Sequence, residues 1–281
     1  MNALPCRRSR SCTPASARSA AELPHPRRLV WKCSARIQSA LASAADHLQR
    51  LARNLDMKVF TFTAHGKEWI KQQKMSPDAY TQLALQLAFY RSHRRPVSTY
   101  ESASLRRFRQ GRVDNIRSAT PEALAFAKAM TNGRTSTQDT EKMEKLRAAV
   151  EAQTKITALA VAGMGTDNHL LGLRETAKEM KMEMPDIFAD ETYHISNHFI
   201  LSTSQVPTTE EMFCCYGPVV ADGYGVCYNP QADRTLFCVS SFSESTDTCS
   251  GLFVRELDAG LKDMMQLCMK HSDCRLQRQN V

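Results

Sequence analysis

No stretch of this chain approaches the roughly 20 consecutive apolar residues that a membrane-spanning helix needs, so no transmembrane segment is expected. Ten cysteines are present, but none form a C-x-x-C pair and no secretory signal is visible. That argues against a zinc ribbon, whose ligands come in paired spacings, and for reduced core thiols in a cytoplasmic protein. His194 and His198 are one helical turn apart with Asp190 and Glu191 nearby, but Ile195 stands where H-E-x-x-H needs its glutamate, so no metal is expected. Gly223-Tyr224-Gly225 lacks the third glycine of a dinucleotide loop and reads as a hairpin turn. Ser204 lies outside any G-x-S-x-G, so no serine nucleophile is expected.

Charge is unevenly spread. Residues 1–56 carry ten Lys/Arg against three acids, which is +7 of the total +8. The remaining 225 residues are nearly neutral. No aromatic stripe interleaves the basic residues, so nucleic acid is not the expected partner. Residues 1–21 contain no acid and are rich in Arg, Ser and Ala, the composition of a transit peptide. No amphipathic apolar face accompanies them, so residues 1–24 are read as a disordered or aberrant leader, with a mitochondrial address as the alternative.

From Arg28 the pattern becomes regular. Ile37, Leu41, Ala44, Leu48, Leu51 and Leu55 recur at helical spacing, which predicts an amphipathic helix over 35–54. Val59–Thr63 is β-branched and aromatic, a strand signal. Ser76-Pro77-Asp78 is a helix start: a capping hydroxyl, a proline for the first turn, and an acid at the positive end of the dipole. The helix that follows is apolar nearly all round and should be buried. Thr120-Pro121-Glu122 repeats that start, and 132–140 reads as a polar loop. A long helix is predicted from Glu141 to about Met182, broken near Gly163 and Gly165. Strands are predicted at 199–204, 212–217, 224–229 and 235–242, then a closing helix over 252–268. Helices packed against a sheet follow from this order.

Three features could carry chemistry. Lys67, Lys71 and Lys74 precede a helix N-terminus, which suits phosphate, although a solvated basic loop fits equally. Thr99–Ser104 is a polar run behind a proline, and by itself reads as well as a cap or turn. Phe199–Val206 delivers Ser202, Thr203 and Ser204 at the end of an apolar run, with Met212–Pro218 after it. From the residues alone, the chain reads as a cytoplasmic α/β protein with either a phosphate-binding segment or a solvated basic loop at Lys67–Lys74.

Four motifs in order go further: Gly66-Lys67 with Ser76-Pro77-Asp78-Ala79, Thr99-Tyr100-Glu101-Ser102-Ala103-Ser104, Asp167-Asn168-His169-Leu170-Leu171-Gly172-Leu173, and Ser202-Thr203-Ser204-Gln205. Together they resemble the carnitine/choline acyltransferases, from about Glu22 to about His271, and Gly111–Leu124 with Glu211–Val220 resemble its choline branch. The resemblance implies an α/β, CoA-dependent acyltransferase-like domain with a mixed sheet flanked by helices. It implies acetyl transfer from acetyl-CoA to choline, in a monomer. Lys67, Lys71, Ser76, Asp78, Ser104 and Gln205 would contact CoA, and Ser204 would donate to the oxyanion. Tyr100, Ser102, Val113, Asn168, Ser202, Cys214 and Tyr216 would line the alcohol pocket. Carnitine enzymes of the family have arginine at the position of Asn168 and threonine at that of Val113; a carnitine carboxylate would be left without a cation here. Aromatic faces suit choline's quaternary ammonium.

The family's general base lies in a Glu-His-Ser/Ala-Pro-x-Asp-Gly type motif, and none of the eight histidines stands in one. His169 matches the family pattern as a packing residue. Residues 25–281 are therefore expected to correspond to the C-terminal domain of such an enzyme, and the chain alone to be nearly inactive. A CoA-binding protein without turnover, and a carnitine enzyme, are the other readings.

Overall fold

The computed structural model describes residues 25–131, 138–206, 208 and 210–279, with no side chains described beyond His271. The expected leader lies outside the described residues, as does most of the expected polar loop. The chain divides into two compact units, residues 1–48 and 49–281. In the first, the described residues are an extended stretch that enters helix α1 (Ala35–Asn54). That helix has the predicted bounds and buries no residue.

The second unit holds a six-stranded sheet: β1 (Leu55–Phe62), β2 (Thr99–Ser104), β3 (Val113–Ile116), β4 (Leu201–Gln205), β5 (Tyr224–Pro230) and β6 (Thr235–Phe242). Its spatial order is β1-β6-β5-β4-β2-β3. β4 runs parallel to both β5 and β2, and the other pairs are antiparallel. The helices of this unit are α2 (Lys67–Gln72), α3 (Pro77–His93), α4 (Pro121–Thr131), α5 (Asp139–Leu159), α6 (Thr166–Glu179), α7 (Glu191–Asn197) and α8 (Ser250–Gln279).

The alternation of strand residues sorts the sheet into two faces. One carries Phe60, Phe62, Leu201, Tyr224, Val226, Tyr228, Phe237 and Val239, which pack with Leu83, Leu87 and Phe89 of α3 and Phe253, Leu257 and Leu261 of α8 into one core. α3 is buried without interruption from Ala79 to Phe89, as its all-round apolar composition predicts. Its start is built as expected: Ser76 Oγ accepts from Ala79 N at 3.3 Å and Pro77 opens the first turn. Thr120 caps α4 in the same way, at 3.0 Å from Ala123 N.

The long helix breaks where its glycines stand. After α5 a π-turn over Ala160–Met164 ends at Gly163, whose φ of 79° only glycine adopts without strain. Gly165 then lets α6 start against β3, because a Cβ there would lie 2.4 Å from Asp114 Oδ2.

Two expectations need correction. Residues 212–217 form no strand. Side chains hold the stretch instead: Asn229 Nδ2 donates to Met212 O (2.8 Å) and to Glu210 O just before it (3.1 Å), and Ser240 Oγ donates to Tyr216 O at 2.6 Å. Nor are all the thiols reduced, since Cys215 and Cys238 form a disulfide with Cα atoms 5.7 Å apart.

Candidate active site

The Ser-Thr-Ser run is β4 itself, and the alternation explains its composition. Thr203 faces the helices, where Gln82 Nε2 donates to its Oγ1 at 2.9 Å and that hydroxyl donates to Tyr100 O at 2.8 Å. Ser202 and Ser204 therefore face the other way, onto the side of the sheet that also carries Tyr100, Ser102 and Ser104 of β2 and Val113 of β3, by the register of the ladders. Ser102, Ser104 and Val113 are exposed there, and Tyr100 and Ser204 are partly exposed.

Tyr216 lies across this face. Its hydroxyl donates to Ser202 O at 2.6 Å and stands 3.3 Å from Ser202 Oγ, while burial raises its pKa and keeps it neutral. Gly225 makes room for it: a Cβ there would lie 2.9 Å from Tyr216 O and 2.7 Å from Ser240 Oγ. Gly225 is thus a strand residue and not the hairpin turn expected of it; Gly223 closes the turn before β5, with its N donating to Val220 O at 3.2 Å. Cys214, just before, is exposed.

Asn168 opens α6 beside β3, where its Nδ2 donates to Val113 O at 2.8 Å. Arg117 fixes that junction. It grips Asp167 with two nitrogens (3.0 and 2.6 Å) and donates to Ser196 O and Asn197 Oδ1 of α7. Its role was not read from the sequence, and only the charge pair Arg117 and Asp167 could have hinted at it.

At the end of β4 the chain reaches a cleft of about 330 Å³ lined by Lys67, Ser76, Asp78, Gln205, Val206 and Pro230, among others. Four of the six residues assigned to CoA by resemblance meet here. Lys67 is placed by the β5–β6 turn, because its N donates to Gln231 O at 2.8 Å and a Cβ on Gly66 would collide with Asp233 and Arg234. Lys71 is not in the lining; it bridges Glu68 at 2.8 Å on the surface. Ser104 is on the open face instead.

Beneath the cleft is a buried polar chain that the sequence reading missed. Tyr228 Oη donates to Asp78 Oδ1 at 2.5 Å, and Gln82 Nε2 donates to Tyr228 Oη at 2.9 Å. Glu101 accepts from Ser118 Oγ (2.9 Å) and Gln153 Nε2 (2.8 Å). Burial, and after it the charge of Asp78, push the Glu101 carboxyl up to about 10, so it is a neutral acid at pH 7. The signal was available: glutamines at 82 and 86 interrupt an otherwise apolar helix.

The histidines offer little. His65 is buried between Phe62, Trp69 and Tyr80, and burial lowers its pKa to about 4. His93 Nε2 lies 3.1 Å from Tyr224 Oη, on the helical side. His198 Nε2 pairs with Asp222 at 2.8 Å, and His194 is exposed. His169 is exposed too, not the packing residue expected. Among the described residues no group of three or more His, Cys, Asp or Glu could hold a metal ion, and no helix is long and apolar enough to cross a membrane.

The chain belongs to the choline/carnitine O-acyltransferase family: the Choline/Carnitine o-acyltransferase profile matches residues 4–259. That match begins inside the segment read as a leader. Among curated relatives, a choline O-acetyltransferase of Danio rerio is 65% identical over 90% of this chain and 40% of its own length. The choline O-acetyltransferase of Homo sapiens is 59% identical over 89% of this chain and 33% of its own. A carnitine O-acetyltransferase of Mus musculus is 42% identical over 90% of this chain and 40% of its own. The chain thus spans well under half the length of these relatives.

Proposed function

We propose that this chain carries the coenzyme A side and the alcohol side of a choline O-acetyltransferase, which moves the acetyl group of acetyl-CoA to the choline hydroxyl. One observation carries the reading: a single strand presents Ser202 and Ser204 on the open face and ends with Gln205 at the Lys67–Asp78 cleft. CoA lies along that cleft, with Lys67 near its phosphate and its thioester reaching Ser204. When the choline oxygen adds to the thioester carbonyl, the Ser204 hydroxyl donates to the oxyanion, a role worth about 2.7–4 kcal/mol of barrier in other acyl-transfer sites. The C–S bond then breaks, releasing CoA and acetylcholine.

Choline is favoured over carnitine because Asn168, whose amide gives one N–H to Val113 O, carries no positive charge, and the exposed Val113 side chain offers no donor. A carboxylate there would be left without a cation. Tyr100 and Tyr216 supply aromatic faces for the quaternary ammonium. The names of the relatives at 59% and 65% identity, against 42% for the carnitine enzyme, support the same choice.

The choline proton needs a base, and the family's histidine motif is absent from this sequence. The chain by itself is therefore expected to bind CoA and to turn it over poorly. The test pairs calorimetric titration of the chain with CoA and labelled acetyl transfer to choline, with carnitine as control. Binding without transfer is the expected result. A folded chain that ignores CoA would sink the assignment of the cleft, and transfer to carnitine at the rate of choline would sink the pocket argument.

A further inference from the structure

We propose that Cys214, Cys215, Cys227 and Cys238 form a thiol–disulfide exchange site, open to small thiols and disulfides, whose bond state sets how firmly Tyr216 is held over Ser202. Acetyl transfer uses none of these four sulfurs as a reacting group; Cys214 enters it only as a wall of the alcohol pocket.

Four observations place them together. Cys215 lies in the strandless stretch 210–218 and is exposed, whereas Cys238 is in β6 and only 2% exposed. Their disulfide is the one covalent tie between that stretch and the sheet among the described residues. Cys227 of β5 stands directly opposite Cys238 in the ladder, so the two side chains share the open face. Cys214 is exposed, carries a free thiol, and is close enough to Cys227 for its charge to be felt there.

The tie acts on the alcohol side of the sheet. Tyr216 follows Cys215 directly, and its hydroxyl holds Ser202 O while its carbonyl accepts from Ser240. With the bond in place, the backbone next to Tyr216 is fixed to β6 from one side and hydrogen-bonded from the other. With the bond cut, the stretch keeps only non-covalent ties: hydrogen bonds through Tyr216, Asn229 and Gln231 and the Arg234–Glu211 ion pair.

The chemistry balances with a small thiol. A thiolate RS⁻ attacks the exposed Cys215 sulfur, forming a mixed disulfide and expelling Cys238 as a thiolate that then takes a proton. A second thiol attacks the mixed disulfide, giving RSSR and a free Cys215 thiol. In the other direction RSSR takes two electrons from the pair and leaves as two RSH. Burial pushes the Cys227 thiol up to about 11, so it is protonated at neutral pH and does not itself attack. Cys227 is the neighbour that Cys238 faces once released, and Cys214 is a free, exposed thiol beside the attacked Cys215.

The test uses the purified 281-residue chain in glutathione buffers of graded ratio. Cysteines are alkylated and mapped by mass spectrometry, and amide exchange is followed over 210–218. Under oxidising buffer Cys214 alkylates while Cys215 and Cys238 are protected. As the buffer becomes reducing, both lose protection together, in a two-electron titration of about 30 mV per decade. Amide protection over 210–218 falls in step, and Cys238→Ser loses it without reductant. Alkylation of Cys215 and Cys238 under oxidising buffer would overturn the proposal, as would exchange over 210–218 that ignores the buffer ratio. These readouts report bond state and backbone protection, so they stand or fall apart from the acetyl-transfer reading.

Discussion

The two faces of the sheet are made by the same six strands and have opposite characters. The helical face is apolar and closed, apart from a buried polar chain from Tyr228 through Asp78 to Glu101 and smaller pairs such as Gln86–Thr99. The other face carries hydroxyls and tyrosines, covered around Ser202 and Ser240 by Tyr216 and exposed at Ser102 and Ser104. One residue step along β4 crosses from one to the other: Thr203 is an anchor to α3, while its neighbours face the other side, Ser202 buried under Tyr216 and Ser204 partly exposed. Rigidity is supplied on one side so that it can be used on the other.

The sharpest way to break this contrast is to delete matched bulk on each face. Phe237 is fully buried, and it stacks on Phe60 with ring centroids 5.8 Å apart. Phe237→Ala should cost about 3–5 kcal/mol of stability. Met57 faces the other way on β1 and is 46% exposed, so Met57→Ala should stay within about 0.5 kcal/mol. Urea denaturation of the two variants checks both; equal losses would mean the open face is not open.

A second contrast lies within the closed face, between two buried titratable groups of opposite sign. Glu101 has a folded pKa far above its unfolded value, so its contribution is full below about pH 4.5 and is lost as pH rises towards about 10. His65 has a folded pKa below its unfolded value, so its contribution is full above about pH 6.5 and is lost as pH falls towards about 4. Glu101→Gln keeps an acceptor for Ser118 and Gln153 and a donor towards Asp78, and should flatten the alkaline decline in stability. His65→Phe should flatten the acid decline between pH 6.5 and 4 and leave the alkaline side unchanged. Thermal melts across pH 4–10 distinguish them, and parallel curves for wild type and both variants would contradict the burial argument.

Much of the closed face was legible because it rests on local grammar. Ser76-Pro77-Asp78 and Thr120-Pro121 start helices wherever they occur, and Gly163 with Gly165 stop one. The open face was legible only in part. Thr99–Ser104 does alternate, but its buried positions are Thr, Glu and Ala, so hydropathy hides the strand. The stretch 212–217 has strand composition, yet its Met212 and Tyr216 carbonyls are taken by Asn229 and Ser240, residues distant in sequence. Local propensity carries no information about a distant side chain that satisfies the backbone first. The site residues themselves came from resemblance, since a serine on a strand announces its face only when its partners are known.

The smallest effect separates the cleft from the surface beside it. Lys67 and Lys71 sit one turn apart, and the resemblance gives both to CoA. The structure distinguishes them: Lys67 is partly buried in the cleft wall with its backbone pinned by Gln231, while Lys71 is exposed and already bridged to Glu68. A cation held in place keeps more of its attraction for phosphate than one that must leave a partner and be ordered in solvent. Lys67→Ala should weaken CoA binding about tenfold, about 1.4 kcal/mol, and Lys71→Ala measurably less. Removal of the ribose phosphate should erase most of the difference, because dephospho-CoA gives Lys67 less charge to meet. Titrations of CoA and dephospho-CoA into wild type and both variants check this. Equal losses for the two lysines would put the phosphate outside the cleft, between them on the surface of α2.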